Sequence, residues 1–372
     1  MKTPRFVLFQ KQFHWTIMDT YILKKFLGSV FYSIALLMTI IIVFDISENV
    51  QRFLDHNVPV KLIIFQYYFN FIPYFINLFF PLFTFISVIW FTSKLSGNNE
   101  IISFFNGGVS FYRFLIPYMT GALILCVLSM IFANFIIPDT NVRLNKFREE
   151  NMYRKRYITN TNIHFKSAPN TYVYAERWRK QDAGADNLTV EVLGDDKVNY
   201  KLHADWAKYN DTTKCWQLFT YRIRYFDETG EHVELGERLD TAFNFLPEDF
   251  NDDVKVAETL GYRSLKKFIQ KEKEKGSSLV KSYQIEQQKR MANPFSIIIM
   301  TLLGLSVAAR KSRRGVGVHI FVGLFFVFTF ILFQQISNVF AVAEQLSPAM
   351  ATWLPNIVYF LISLILIHYT PK

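Results

Sequence analysis

Six stretches of the chain run for about 18 residues or more without Lys, Arg, Asp or Glu: residues 26–44, 62–93, 114–137, 292–309, 315–343 and 346–369. An uncharged apolar run of that length is long enough to cross a bilayer as a helix. The second run is 32 residues long. As a helix it would extend roughly 48 Å at 1.5 Å per residue, against a hydrocarbon core of about 30 Å. It must therefore tilt, kink or project, and Pro73 and Pro81 supply kink sites. The fifth and sixth runs are divided only by Glu344, Gln345 and their neighbours, with Pro348 as a breaker.

Between runs three and four the pattern changes. Residues 171–176, 187–193, 198–204, 216–226, 233–239 and 241–246 read as strands, with turn signals at 194–196 and 228–230. Strands spaced about 8–12 residues apart suggest a sandwich or an open jelly roll. Beyond Pro247, Leu265, Phe268 and Ile269 fall at helical spacing within residues 260–275, and Gly276 to Ser278 break that helix. Residues 279–290 form a second helix leading into span four, with Pro294 in the first turn of the span.

Composition agrees with the runs. Of 372 residues, 51% are hydrophobic, 19% charged and 39 are Phe, which excludes disorder and disfavours an ordinary soluble enzyme. The net charge of +10 is uneven. Residues 138–292 hold 27 Lys and Arg against 25 Asp and Glu, while the remainder holds 14 against 6. The excess thus flanks the apolar runs, as expected for helix orientation and not for a nucleic-acid surface. One side would hold twelve short-loop cations: Lys2, Arg5, Lys11, Lys24, Lys25, Lys94, Arg113, Arg310, Lys311, Arg313, Arg314 and Lys372. The other side holds only Arg52 and Lys61. The first side is expected to be cytoplasmic, with both termini inside and the long insert outside. No cleavable signal is expected at the N-terminus. Cys126 and Cys215 lie in unlike surroundings, so no disulfide is expected.

No phosphate-binding loop, dinucleotide fingerprint, H-E-x-x-H, C-x-x-C or G-x-S-x-G motif occurs, and the seven histidines are scattered. No cofactor and no metal are expected. Runs two and three contain no charge, which argues against an ion-coupled carrier. The loop between them carries more. Asn98 or Asn99 can cap a short helix, and Glu100 in its first turn suits the helix dipole. Ile101, Phe104 and Phe105 would share one face, and Gly107 and Gly108 would end it. Such a helix either docks into a partner or lies on the membrane surface. Residues 15–25 look like an interfacial helix anchored by Trp15 and Tyr21. Gln66, Asn70, Asn77, Asn134, Gln334, Gln335 and Asn338 either join helices or line a cavity.

Four segments carry a resemblance that spans nearly the whole chain. They are Met18-Asp-Thr-Tyr-Ile-Leu-Lys-Lys-Phe-Leu, Asn99-Glu-Ile-Ile-Ser-Phe-Phe-Asn-Gly-Gly-Val-Ser, Lys289-Arg-Met-Ala-Asn-Pro-Phe with Leu303-Gly and Ala309-Arg-Lys-Ser-Arg-Arg-Gly-Val-Gly, and Ala351-Thr-Trp-Leu-Pro-Asn-Ile. In this order around a β insert they resemble the LptF/LptG (YjgP/YjgQ) permease subunits of the bacterial lipopolysaccharide exporter, with a leaning toward the LptG type. The resemblance implies an α+β inner-membrane protein, with six transmembrane helices and a periplasmic β-jelly-roll domain inserted between helices 3 and 4. The expected division is 1–137 for an N-terminal cytoplasmic helix and spans one to three, 138–257 for the jelly roll, 258–291 for connecting helices and 292–372 for spans four to six. It also implies a second related permease, a dimeric cytoplasmic ABC ATPase and a periplasmic jelly-roll bridge protein as partners, with lipopolysaccharide as cargo and spans one and five as gates. Asn99, Glu100, Ile101, Phe104, Phe105, Gly107 and Gly108 would form the ATPase-coupling helix. Span one lacks the basic residues that family members often place there, so either Arg52, the first cation after it and the candidate lipid head-group contact, serves, or the partner permease supplies the charge, or the lipid head is less phosphorylated. Arg310, Lys311, Arg313 and Arg314 form the cytoplasmic basic loop. Two other classes compete: a membrane-anchored β module that tethers an envelope assembly, and a lipid-modifying enzyme with its site in the insert.

Overall fold

The computed structural model describes residues 15–152, 159–194, 198–227, 230–250, 255–277, 279–308 and 316–369. Among the described residues six helical segments are long and apolar enough to cross a membrane: Ile17–Asp55, Val60–Gly97, Phe111–Asn151, Val280–Ala308, Ile320–Val342 and Pro348–His368. The first is one helix, α1 (Ile17–Asp55). It absorbs the expected interfacial segment, because nothing between Tyr21 and Phe26 breaks the helix. The second comprises α2 (Val60–Leu62), a π-helical turn (Ile63–Tyr68) and α3 (Phe69–Gly97), with Pro73 and Pro81 inside α3. A short helix, α4 (Glu100–Asn106), follows. The third is α5 (Phe111–Ile131), a π-helical turn (Phe132–Ile136) and α6 (Ile137–Asn151). Each of these three segments is 38 to 41 residues long. That corresponds to roughly 57–62 Å, so all three project well beyond a hydrocarbon core of about 30 Å.

The projecting ends pack on one another. Phe53, Val58, Tyr67, Tyr68, Phe71, Leu144, Phe147 and Met152 form their own buried cluster. Tyr67 sits at its centre, 5.4 Å from the Phe53 ring and 5.6 Å from that of Phe147. The π-helical turn lets the adjacent Tyr67 and Tyr68 hydroxyls donate to the same carboxylate, Asp45, at 3.1 and 3.0 Å.

After the sheet come α7 (Val256–Thr259), α8 (Tyr262–Lys275), α9 (Val280–Ala308), α10 (Val316–Val342) and α11 (Pro348–His368). Two apolar clusters share α3 and α9. Ile22, Phe26 and Val30 of α1 meet Phe83 and Val88 of α3, Phe114 and Tyr118 of α5, and Ile297 of α9. On the other cluster Phe85 and Ile89 of α3 meet Met300 and Leu303 of α9, Phe330 of α10 and Tyr359 of α11. Span α9 is the most enclosed of the six, and α1 and α10 are the least. Lipid is as apolar as these side chains, so close packing and hydrogen bonds between helices must hold the bundle. Gly121 of α5 allows one close approach: a Cβ there would stand 2.6 Å from Cδ1 of Phe26. The Ser87 hydroxyl donates to the Ser29 carbonyl at 3.1 Å, and Thr92 and Tyr118 share a hydrogen bond of 3.0 Å.

Among the described residues of the insert there are six strands: β1 (Thr159–Ala168), β2 (Thr171–Arg179), β3 (Gly184–Leu193), β4 (Val198–Asn210), β5 (Cys215–Asp227) and β6 (Gly230–Thr241). They form one antiparallel sheet in sequential order. The alternation of inward side chains slips by one residue at the same row of several strands. Val173 and Ala175 point inward, and the next inward residue is Trp178; Ala185 is followed by Leu188, and Ala204 by Ala207. Register across the row is kept, because Ala175, Leu188, Ala204 and Tyr221 align on one side of it and Arg177, Asp186, Trp206 and Phe219 on the other. Asn162, Asn187 and Thr220 in this row have φ of 56, 49 and 50°. The alternation therefore breaks in step on neighbouring strands without a shift of register, and inward residues continue on both sides of the row. Trp178 of β2 lies 6.1 Å from Trp216 of β5, over the small Ala185 and Ala207. Phe250, in a 3₁₀ turn (Pro247–Phe250), closes the core by stacking on Trp178 at 4.6 Å.

Candidate functional site: the short helix between spans two and three

The site is built where three helices begin or end. Lys94 to Gly97 finish α3, and the chain reverses through Asn98 and Asn99, the latter at φ 61°. Asn tolerates the left-handed region better than most residues, which explains Asn at this bend. Ser103 donates its hydroxyl to the Asn99 carbonyl at 3.0 Å, across the first turn of α4. Gly107 and Gly108 end the helix. The amides of Gly108 and Val109 donate to the carbonyls of Phe105 and Phe104, and Gly108 takes φ 81°, which suits only glycine well. Ser110 then caps α5, accepting from the Arg113 amide at 3.3 Å.

Three of the four apolar residues of α4 face the protein. Ile101 is buried, and Phe104 and Phe105 are half-buried against Phe111 and Phe114 of α5. The surface left exposed is Ile102, Ser103 and Asn106, with Glu100 at its edge. Glu100 is held from two sides. Tyr21 of α1 donates its hydroxyl to one carboxylate oxygen at 3.3 Å, and the Asn98 amide donates to the other at 3.1 Å.

A second joint lies beside this one. Arg113 of α5 makes a two-pronged contact with Asp19 of α1, one arm at 2.6 Å. Asp19 is fully buried and also accepts from the amide and hydroxyl of Thr16, each at 2.7 Å, which completes a capping box on α1. Paired N–H donors on a carboxylate fix orientation as well as distance. The starts of α1 and α5 are thus locked together, and α4 rests between them.

The other expected residues fall elsewhere. Arg52 lies at the far end of α1, exposed, donating to Asn49 at 2.7 Å. Asn49 in turn donates to Asp45, so Arg52 stands at the rim of the Asp45–Tyr67–Tyr68 group. Arg310, Lys311, Arg313 and Arg314 lie outside the described residues. Of the polar residues in the spans, Asn77 accepts from Ser129 at 2.7 Å and Gln334 donates to Asn293 at 2.8 Å, each joining two helices. Asn70 and Asn134 bond back to their own helices. Among the described residues no group of three His, Cys, Asp or Glu could hold a metal ion.

Sequence reasoning missed the Asp19–Arg113 joint and the Asp45 group. Asp19 was visible in the Met18-Asp-Thr-Tyr segment, but its partner is 94 positions away. A single sequence carries no signal for that pairing.

The chain is similar to known proteins over most of its length. The family described as lipopolysaccharide export system permease LptF/LptG matches residues 20–369. The Escherichia coli (strain K12) lipopolysaccharide export system permease protein LptG is 21% identical over 298 residues, covering 79% of this chain and 82% of its own. The protein of the same name from Haemophilus influenzae is 24% identical over 349 residues, covering 92% and 95%. A match from the first turn of α1 to the end of α11, over six spans with a β insert after the third, places this chain in the LptF/LptG family of lipopolysaccharide export system permeases.

Proposed function

We propose that this chain is an LptG-type subunit of an ABC exporter, paired with a related permease and driven by a dimeric cytoplasmic ATPase. Together they would take lipopolysaccharide from the inner membrane and hand it to a periplasmic bridge of similar β domains. Both termini and α4 would face the cytoplasm and the sheet the periplasm, as the distribution of Lys and Arg in the short loops favours. ATP hydrolysis then belongs to the separate subunit.

The observation that carries the reading is the seating of α4. A helix that transmits a push must be rigid on its inner side and open on its outer side. Ile101, Phe104 and Phe105 supply the first, and Glu100, Ile102, Ser103 and Asn106 the second. The docking surface is therefore this outer set, while the three apolar residues pass movement to α5 and, through Tyr21 and Glu100, to α1. The partner permease would cover the two least enclosed spans, α1 and α10, where Phe31, Phe44, Phe321 and Phe328 stand exposed. These are spans one and five, the expected gates. Arg52, exposed at the outer end of α1, would meet a phosphorylated lipid head there.

The test is Glu100→Arg in the full-length chain. Glu100 is partly exposed and contributes no core packing, so the variant folds. The ATPase should co-purify at least ten-fold less. Undiminished co-purification would remove α4 from the coupling role.

A further inference from the structure

The α1 and α3 helices are stitched together where the Ser87 hydroxyl contacts Ser29 and Ser33, at 3.1 and 2.9 Å. Toward α4 they part, and the space between them is a cleft of about 620 Å³. That is within the range of about 300–1,000 Å³ typical of small-molecule sites. Lys24 and Lys25 enter it from α1 and Lys94 from α3. Tyr32 and Trp90 form an aromatic wall, stacked at 6.3 Å, and the Lys94 ammonium lies 5.7 Å from the Trp90 ring centre. Gly28 leaves the α1 wall open, since a Cβ there would meet nothing within 4 Å.

Among the described residues none of these three lysines is in an ion pair. The one carboxylate lining the cleft is Glu100, already engaged by Tyr21 and Asn98. Lysines that merely orient a span splay outward to the headgroups. Here three exposed lysines from two helices line one open cleft, whose formal charges with Glu100 sum to +2. The cleft opens beside the ends of two spans, where the membrane surface would lie, and aromatic rings such as Tyr32 and Trp90 suit the boundary between lipid and water. We propose that it holds the phosphate headgroup of an anionic phospholipid in the cytoplasmic leaflet, with the acyl chains running up the exposed face of α1. The leaflet rests on the orientation proposed above. The headgroup would sit against Glu100 and Tyr21, so its occupancy bears directly on the seating of α4.

The experiment is native mass spectrometry of the full-length chain, released from micelles after equilibration with equal amounts of phosphatidylglycerol and phosphatidylcholine. Wild type should retain phosphatidylglycerol in preference. A lysine near an anionic surface changes affinity about five-fold, so Lys24→Gln with Lys94→Gln should lower retention more than ten-fold. Lys61→Gln, at the opposite end of the spans, should leave it unchanged. Equal retention of both lipids, or an equal loss in Lys61→Gln, would overturn the proposal. So would displacement of the lipid by excess inorganic phosphate, which would make this a site for the free anion. Undiminished lipid with loss of the ATPase in the double variant would make the lysines a protein-docking surface instead. The lipid count needs neither ATPase nor lipopolysaccharide. It can therefore fail while the permease reading stands, and the permease reading can fail while it stands.

Discussion

The Asp19–Arg113 joint gives the sharpest test of the packing beneath α4. Asp19→Ala removes a carboxylate that accepts from both arms of the guanidinium and twice from Thr16. An exposed ion pair contributes about 0.2–1 kcal/mol, and breaking a buried one costs about 3–5 kcal/mol. Here one side chain is wholly enclosed and the other is 26% exposed. Solvent screens the guanidinium in part, so a coupling of about 1–3 kcal/mol is expected between these limits. The assay is a double-mutant cycle of Asp19→Ala and Arg113→Ala, read by tryptophan fluorescence during unfolding of the full-length chain in mixed micelles. The double variant should be less destabilised than the two single variants summed, because the second change removes a group already without its partner. Arg113→Ala leaves the enclosed Asp19 carboxylate without its cation, so that variant should be the less stable of the two. Additivity within about 0.3–0.5 kcal/mol would refute the joint.

Gly121→Ala should loosen the α1–α5 contact. Its Cβ would press on the Phe26 ring at 2.6 Å in a site with no free space, and overpacking of this kind costs about 1–3 kcal/mol; a lowered unfolding midpoint in the same micelles checks it. Trp178→Ala should open the inward face of the sheet, because Trp178 stacks on Phe250 and meets Trp216. A loss of about 3–5 kcal/mol is expected for such a truncation, and it should appear as faster proteolysis of the insert while the spans stay protected. Glu258 of α7 has its carboxyl raised above the usual range, first by burial and then by nearby Glu286, against the pull of Lys255, Lys289 and Arg290. A raised carboxyl destabilises the fold at every pH above its folded value, and the penalty vanishes below its unfolded value of about 4.3. Glu258→Gln should therefore raise the unfolding midpoint at pH 7 and leave it unchanged at pH 4.

The spans were legible because bilayer crossing demands long uncharged runs, and such runs need no long-range information. Their ends were less so. Residues 45–55 and 138–151 are polar enough to look like loops, yet they continue α1 and α6 because Phe53, Leu144 and Phe147 find a shared cluster. Five of the six strands were legible from alternation, β1 was not read, and 241–246, read as a strand, is irregular beyond Thr241; the slip between Ala175 and Trp178 reads as lost alternation until neighbouring strands show the same slip. For α4, its existence, Glu100 and the Gly107–Gly108 end were written in the chain. The direction of its apolar face was not. Ile101, Phe104 and Phe105 form a knob that suits a partner and a core equally, and only Phe111 and Phe114 of α5 settle which they meet.

The central claim is that this chain works as half of a permease pair driven by an ATPase. The most direct measurement is to recover the full-length chain from native membranes in mild detergent and identify what accompanies it. The account predicts a second six-span permease and an ABC-type ATPase. Recovery of the chain alone, under conditions that preserve other membrane complexes, would contradict it and leave α4 as a surface anchor on a tethering protein.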